Sequence, residues 1–241
     1  MALDGFSQWL ATPQGQYILA WEQAQMDRLV VDLFGFNAVQ CGLADIDLLR
    51  ANRMPLRLIC DAGLPQGRPA VCADVHHLPF ASASIDLVVL PHVLEFDEQP
   101  HRVLREVERV LVPEGSVIVT GFNPYSLWGL RRRFAPQPAQ APWRGRYISV
   151  ARLKDWFALL GLESRFGAFG CYQPALGKNQ WASRLKFLDL AGDRWWPIGG
   201  AVYLIQAVKK VHGMRLIQPK WLDRLARARA LVAAAQKVKE R

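Results

Sequence analysis

The sequence predicts an α/β fold: a doubly wound, mostly parallel sheet of seven strands with helices on both faces. Three observations predict it. Short, near-continuous apolar runs recur along the chain, each closed by a turn residue, as in strands buried on both faces. Between two of these runs lies an amphipathic helix pattern, and strand, helix, strand in that order implies a parallel crossover. The chain has 241 residues, 51% hydrophobic and 21% charged, which suffices for one sizeable core and excludes wholesale disorder.

The elements follow in order. Thr12 and Pro13 are an N-cap and first-turn proline, and apolar residues at Ile18, Trp21, Leu29, Leu33 and Phe34 continue a helix to a stop at Gly35. Strands are expected at 38–41, ending at Gly42; 56–60, ending at Asp61; 70–73, ending at Asp74; 86–90; and 117–120. The helix from Gln99 to Leu111 buries Val103, Leu104, Val107, Val110 and Leu111, and Pro113-Glu114-Gly115 turns the chain after it. The Arg-, Pro- and Gln-rich stretch 131–145 reads as a loop. A second amphipathic helix spans Val150 to Leu160 and is capped by Gly161; a sixth strand covers 162–172 and a last one 201–208. The expected domains are an N-terminal helical extension (1–35), a body (36–210) with an aromatic insertion at 173–200, and a tail (211–241) with a helix over Trp221–Val238.

Charge and cysteine usage narrow the class. The formal net charge is +9, but from Lys209 onward ten Lys or Arg face only Asp223 and Glu240. The body is therefore near neutral, and the high isoelectric point belongs to the tail. Cys41, Cys60, Cys72 and Cys171 form no Cys-x-x-Cys pair, which argues against zinc, and no metal is expected. The strand-like runs around three of them suit reduced, buried thiols. The N-terminus has no secretory pattern and no run is long enough to span a bilayer, so a cytoplasmic protein is expected.

One stretch is specific. It reads Cys72-Ala73-Asp74, then Leu78-Pro79-Phe80, Ser84-Ile85-Asp86-Leu87-Val88-Val89-Leu90-Pro91-His92 and Leu94-Glu95, and closes on Leu104-Arg105-Glu106 and Arg109-Val110-Leu111-Val112-Pro113-Glu114-Gly115. This resembles the third-to-fifth-strand region of the type 11 class I S-adenosylmethionine-dependent methyltransferases, and in particular a bacterial subgroup with a reduced glycine-rich loop. The resemblance implies a Rossmann-like sheet, S-adenosylmethionine as cofactor and methyl transfer to an acceptor of small-molecule size. Ligands in such sheets sit outside the carboxyl ends of the strands. Asp61 then falls where a ribose-binding acid ends strand two, and Asp74 where an adenine-binding acid ends strand three. Gly42, Val75, Leu90, Pro91 and His92 complete the implied cofactor site, with His92 also the candidate catalytic base.

The departure from the family lies after strand one. Cys41-Gly42-Leu43-Ala44-Asp45-Ile46-Asp47 keeps a single glycine, and the interval to Arg53 is short for a crossover helix. Each candidate also has a structural reading. Asp61 and Asp74 fit as turn acids, His92 as a hydrogen-bonded strand-end histidine, and Asp45 and Asp47 as either ammonium ligands or caps. His76, His77 and His101 read as solvent or capping residues, Asp86 as structural, and Arg105, Glu106 and Arg109 as an ion-paired helix face. Asn123-Pro124-Tyr125 reads as a turn, while Trp128, Trp143 and the insertion are candidates to roof an acceptor pocket. The rival to an enzyme is a non-catalytic binding or scaffold protein, in which Leu43 and Ala44 fill the cleft. A further reading gives the tail, 209–241, nucleic acid or an acidic surface as partner.

Overall fold

The computed structural model describes residues 4–62, 70–134, 141–175, 189, 192 and 194–210. Seven strands form one sheet in the order β3-β2-β1-β4-β5-β7-β6. They are β1 (Asn37–Cys41), β2 (Leu56–Asp61), β3 (Ala70–Cys72), β4 (Ile85–Pro91), β5 (Leu111–Phe122), β6 (Leu162–Gly170) and β7 (Val202–Lys209). The first five pair in parallel; β7 runs antiparallel to both β5 and β6. The order reverses between β1 and β4, and a doubly wound sheet opens its ligand crevice at such a switch point.

The helices are α1 (Asp4–Leu10), α2 (Pro13–Val30), α3 (Val93–Phe96), α4 (Pro100–Val110), α5 (Leu127–Phe134) and α6 (Val150–Leu159). Alternation along each strand gives the sheet two apolar faces. Val39, Cys41, Val88, Leu90, Val117 and Val119 share a core with Val103, Leu104 and Val107 of α4 and with Leu153 and Phe157 of α6. Ala38, Leu87, Val89, Ile118 and Leu204 pack with Met26 and Val30 of α2 and with Leu48, Leu49 and Met54. Those last three belong to the β1–β2 connection, which contains no helix. In its place α2 covers the sheet, and Asn52 pins the connection to it by donating to the carbonyls of Val30 (2.8 Å) and Leu33 (3.2 Å).

Several sequence expectations shift. Thr12 caps α2 through Gly15 N–H at 3.2 Å, but α2 stops at Val30, short of Gly35. The loop expected from 131 is helical to Phe134, where Trp128 and Gly129 bury one side of α5. The turn at 113–115 is absorbed into β5, and the register with β4 slips between Ile85 and Leu87, a bulge in the ladder. Cys41, Cys60 and Cys171 are buried thiols, whereas Cys72 is exposed. The tail helix at Trp221–Val238, the tail as a whole beyond Lys210 and most of the 173–200 insertion lie outside the described residues. No helix among the described residues is long and apolar enough to cross a membrane.

Candidate functional site

The carboxyl ends of β1 to β4 carry the candidate residues. Asp61 closes β2 in register with Cys72 of β3. Its Oδ1 accepts from Ala62 N–H at 2.7 Å and its Oδ2 from Ala44 N–H at 3.3 Å, so it also fastens the first loop. Asp74 follows β3. Its Oδ1 accepts from His76 N–H at 3.0 Å and lies 2.8 Å from His76 Nδ1. His76 Nε2 lies 3.0 Å from Oδ1 of Asp97, in the link between α3 and α4. The result is a row, Asp74–His76–Asp97, bridging the β3 end to the start of α4. The hydrogen bonds from the His76 backbone and ring hold the Asp74 carboxyl below its usual range. Burial works against the charged His76 ring, but Asp74 and Asp97 outweigh it and raise its pKa.

Beside this row opens a cavity of about 670 Å³, lined on one wall by Cys72, Asp74 and Val75 and on the other by Phe96, Gln99 and Arg102. That volume is typical of small-ligand sites. The Asp74 side chain is 59% exposed along it, while Asp61 contributes through its neighbour Ala62. Thus Asp74 and Val75 share one opening, while Asp61 stands one strand away and does not itself line it.

The other half of the implied site is differently built. Gly42 has φ +86° and donates its N–H to Cys60 O at 2.8 Å. Leu43 follows at φ +50°, a left-handed conformation unfavourable for a side chain, yet it is only 2% exposed. A buried glutamine holds the turn. Gln40 Nε2 donates to the carbonyls of Gly42 (3.0 Å), Leu43 (3.2 Å) and Ile46 (2.8 Å), and its Oε1 accepts from Leu48 N–H at 3.0 Å. Asp47 caps the next turn through Leu49 N–H at 3.0 Å, as the turn reading of that residue expects.

Leu90 and Pro91 are buried at the end of β4, and His92 after them is fully buried, with φ +53°. The sequence leaves His92 as either a catalytic base or a hydrogen-bonded strand-end histidine; the structure encloses it between two carboxylates. Its Nε2 lies 2.8 Å from Glu22 Oε1 of α2, and its Nδ1 lies 2.7 Å from Glu95 Oε2 of α3. The other Glu95 oxygen accepts from Phe122 N–H. Burial pulls the His92 pKa down, but the charges of Glu22 and Glu95 win and hold it at about 10, so the ring is an imidazolium at neutral pH. Burial pushes the Glu95 carboxyl up. Phe6 of α1 closes over this cluster, its ring 4.7 Å from that of His92 and 5.0 Å from that of Phe96. Trp128 and Trp143, expected to roof a pocket, stack on each other at 5.5 Å, and Trp128 is buried beneath Trp9.

Sequence reasoning missed Glu22, Gln40 and Asp97. A signal existed for Glu22: it is the one acid on the buried stripe Ile18, Leu19, Met26 and Val30 of α2. Gln40 was likewise the one polar residue within the strand run. Other structural readings agree with the geometry. Asp86 accepts from Phe36 and Asn37 N–H, Glu106 pairs with Arg109 at 2.6 Å, and Asn123 builds a turn through Tyr125 N–H at 3.1 Å. Among the described residues no cluster of His, Cys, Asp and Glu could hold a metal ion.

Residues 56–119 match the family model described as a methyltransferase domain. The uncharacterised protein YafS of Escherichia coli is 32% identical over 164 residues, 64% of this chain and 64% of its own length. A malonyl-[acyl-carrier protein] O-methyltransferase of Halorhodospira halophila is 41% identical over 71 residues, 30% of this chain and 24% of its own length. The matched part thus spans less than two thirds of either relative. In fold, the chain is similar to a SAM-dependent methyltransferase of Thermotoga maritima, with a TM-score of 0.64, 16% identity, and coverage of 87% of this chain and 96% of that one.

Proposed function

We propose that this chain, which belongs to the class I S-adenosylmethionine-dependent methyltransferases, moves a methyl group from S-adenosylmethionine to an acceptor of small-molecule size. The observation that carries the reading is the acid-edged cavity beside Asp74, within the segment that matches the family model. The adenosyl half of the cofactor fits the residues there as they stand. Asp74 offers a largely exposed carboxylate for an exocyclic amino group, Val75 an apolar contact, and Asp61 an acid one strand away for ribose hydroxyls. The methionyl half would border Gly42, Leu90, Pro91 and His92. Leu43 of the turn after β1 and Phe6 of α1 are both buried there, so that half fits only when α1 is displaced and the Leu43 side chain gives way.

When bound, the cofactor supplies a methyl group on a sulfonium, already activated for in-line displacement. What the protein must add is position and exclusion of water. Asp61 and Asp74 orient the nucleoside, and the aromatic layer of Phe6, Phe96 and Phe122 keeps water from the β4 end. His92, already protonated between Glu22 and Glu95, is not available as a base at neutral pH; it positions α2 against β4. An acceptor that is nucleophilic without losing a proton suits such a site, and an ionised carboxylate is the simplest. The malonyl-[acyl-carrier protein] relatives are named for an acceptor of that kind.

Thermal unfolding with and without S-adenosylmethionine tests the reading. Ligand at about a hundred times its Kd stabilises the native state by about 2.7 kcal/mol, and Asp74→Ala removes the shift. Wild-type protein that shows no shift at millimolar ligand overturns it. The second reading, a nucleoside-binding protein that transfers nothing, rests on the burial of Leu43 and Phe6 where the methionyl half would lie. A shift with adenosine but none with S-adenosylmethionine selects it.

A further inference from the structure

Twelve large apolar side chains are substantially exposed among the described residues, and seven of them fall in two short segments. Tyr125, Leu127, Leu130 and Phe134 belong to α5 and its entry; Trp195, Trp196 and Ile198 lead into β7. Asn123 ties the segments together. Its Nδ2 donates to Ile198 O (2.6 Å) and Gly200 O (3.0 Å), and its Oδ1 accepts from Tyr125 N–H. Both segments leave the sheet where Phe122 pairs with Val202, at the carboxyl edge on which Asp61 and Asp74 also lie.

The face has the composition of a membrane interface. Leu127, Leu130 and Phe134 recur at helical spacing on the exposed side of α5, with Phe134 77% exposed, while Trp128 and Gly129 hold the opposite side in the core. Trp195 is 82% exposed beside Trp196. Exposed tryptophans are costly in water and favoured at the headgroup level of a bilayer. Over 125–134 the chain carries Arg131, Arg132 and Arg133 and not one Asp or Glu, and in the second segment Arg194 follows Asp193 in sequence. Arg132 is drawn back over Tyr147 and Arg131 over Trp143, and neither they nor Arg133 has an acid partner among the described residues. Apolar anchors beside an arginine run that has no acid within it complement a surface that is itself apolar within and anionic at its rim.

We propose that α5 and the Trp195–Ile198 segment dock this protein peripherally on an anionic phospholipid bilayer. The proposal stands whether or not methyl transfer occurs. It is tested by co-sedimentation of the full chain with vesicles of phosphatidylcholine and phosphatidylglycerol, about three parts to one, and with phosphatidylcholine alone. The expected result is sedimentation with the anionic vesicles only, lost progressively as salt is added. Leu130→Asp/Phe134→Asp and Trp195→Ser/Trp196→Ser should each fall to the level seen with neutral vesicles while keeping the wild-type melting curve, since these side chains face solvent. Failure of the wild type to sediment with anionic vesicles overturns the proposal. So does undiminished binding by both patch variants with loss in Arg224→Gln/Arg227→Gln/Arg229→Gln, which assigns the membrane to the tail. A wild-type dimer in vesicle-free sedimentation equilibrium that Leu130→Asp/Phe134→Asp dissolves assigns the face to a second copy and also overturns it.

Discussion

At the scale of single residues, His92 decides how the β4 end behaves. A histidine alone in an apolar pocket would shed its proton; here two carboxylates, from helices on either side, keep it. The consequence is a pH dependence of defined sign. The native-state pKa of about 10 lies above the ordinary value, near 6.5, that applies in the unfolded chain. The stabilisation is therefore fully present below about pH 6.5 and lost as pH climbs toward 10, with a slope of up to ~1.4 kcal/mol per pH unit. Glu22→Gln removes one of the two charges that hold the proton. Urea midpoints between pH 7 and 9.5 should fall in the wild type and fall less in that variant, which also starts ~3–5 kcal/mol lower because a buried ion is left short of its partner. Parallel pH profiles would show that His92 titrates elsewhere.

At the scale of elements, strand order depends on side chains that clamp neighbours. Asp86 opens β4 and accepts from Phe36 and Asn37 N–H, 2.9 Å each, so it fixes where β1 begins. Gly35 lies so close that an added Cβ would come within 2.4 Å of the Asp86 side chain. Asp86→Ala should cost ~1–3 kcal/mol in chemical denaturation by orphaning those donors, without altering binding at the distant carboxyl edge; an unchanged midpoint would refute the clamp. Elements of this kind were legible in the sequence to differing degrees. The strands and α4 were legible because burial on both faces, or on one helical stripe, writes itself as local periodicity. The short helices were not. α1 has only seven residues and α5 eight, too few to be helical by propensity, and tertiary burial of Phe6, Leu10 and Trp128 holds them in place. The candidate site divides the same way. Asp61 ends β2 and Asp74 follows β3 by two residues, positions that a strand pattern indicates, whereas the partners of His92 depend on Glu22, 70 residues away, a pairing that no local pattern encodes.

At the scale of the molecule, the N-terminal pair α1–α2 does two jobs. Met26 and Val30 of α2 cover the sheet face left bare by the helix-free β1–β2 connection, while Phe6 of α1 and Glu22 of α2 close the β4 end. The first job needs α2 in place always; the second is compatible with α1 opening. The α1 contact with the His92 cluster is made by the Phe6 ring, whereas the ionic contact is made from α2 by Glu22. If the methionyl seat is reached by displacing α1, the closed state taxes binding: the apparent Kd is the intrinsic one divided by the fraction of molecules that are open. Phe6→Ala removes the ring that packs tilted against His92 and Phe96 and edge-on to Phe122. It should lower unfolding free energy by ~3–5 kcal/mol and yet tighten S-adenosylmethionine binding in calorimetry. Stability and affinity moving in opposite directions is the signature of a plug, because a residue that shaped the site would lose both together. Weaker binding by Phe6→Ala, with the protein still folded by circular dichroism, would mean that α1 is a wall of the site and that the cofactor enters beneath it.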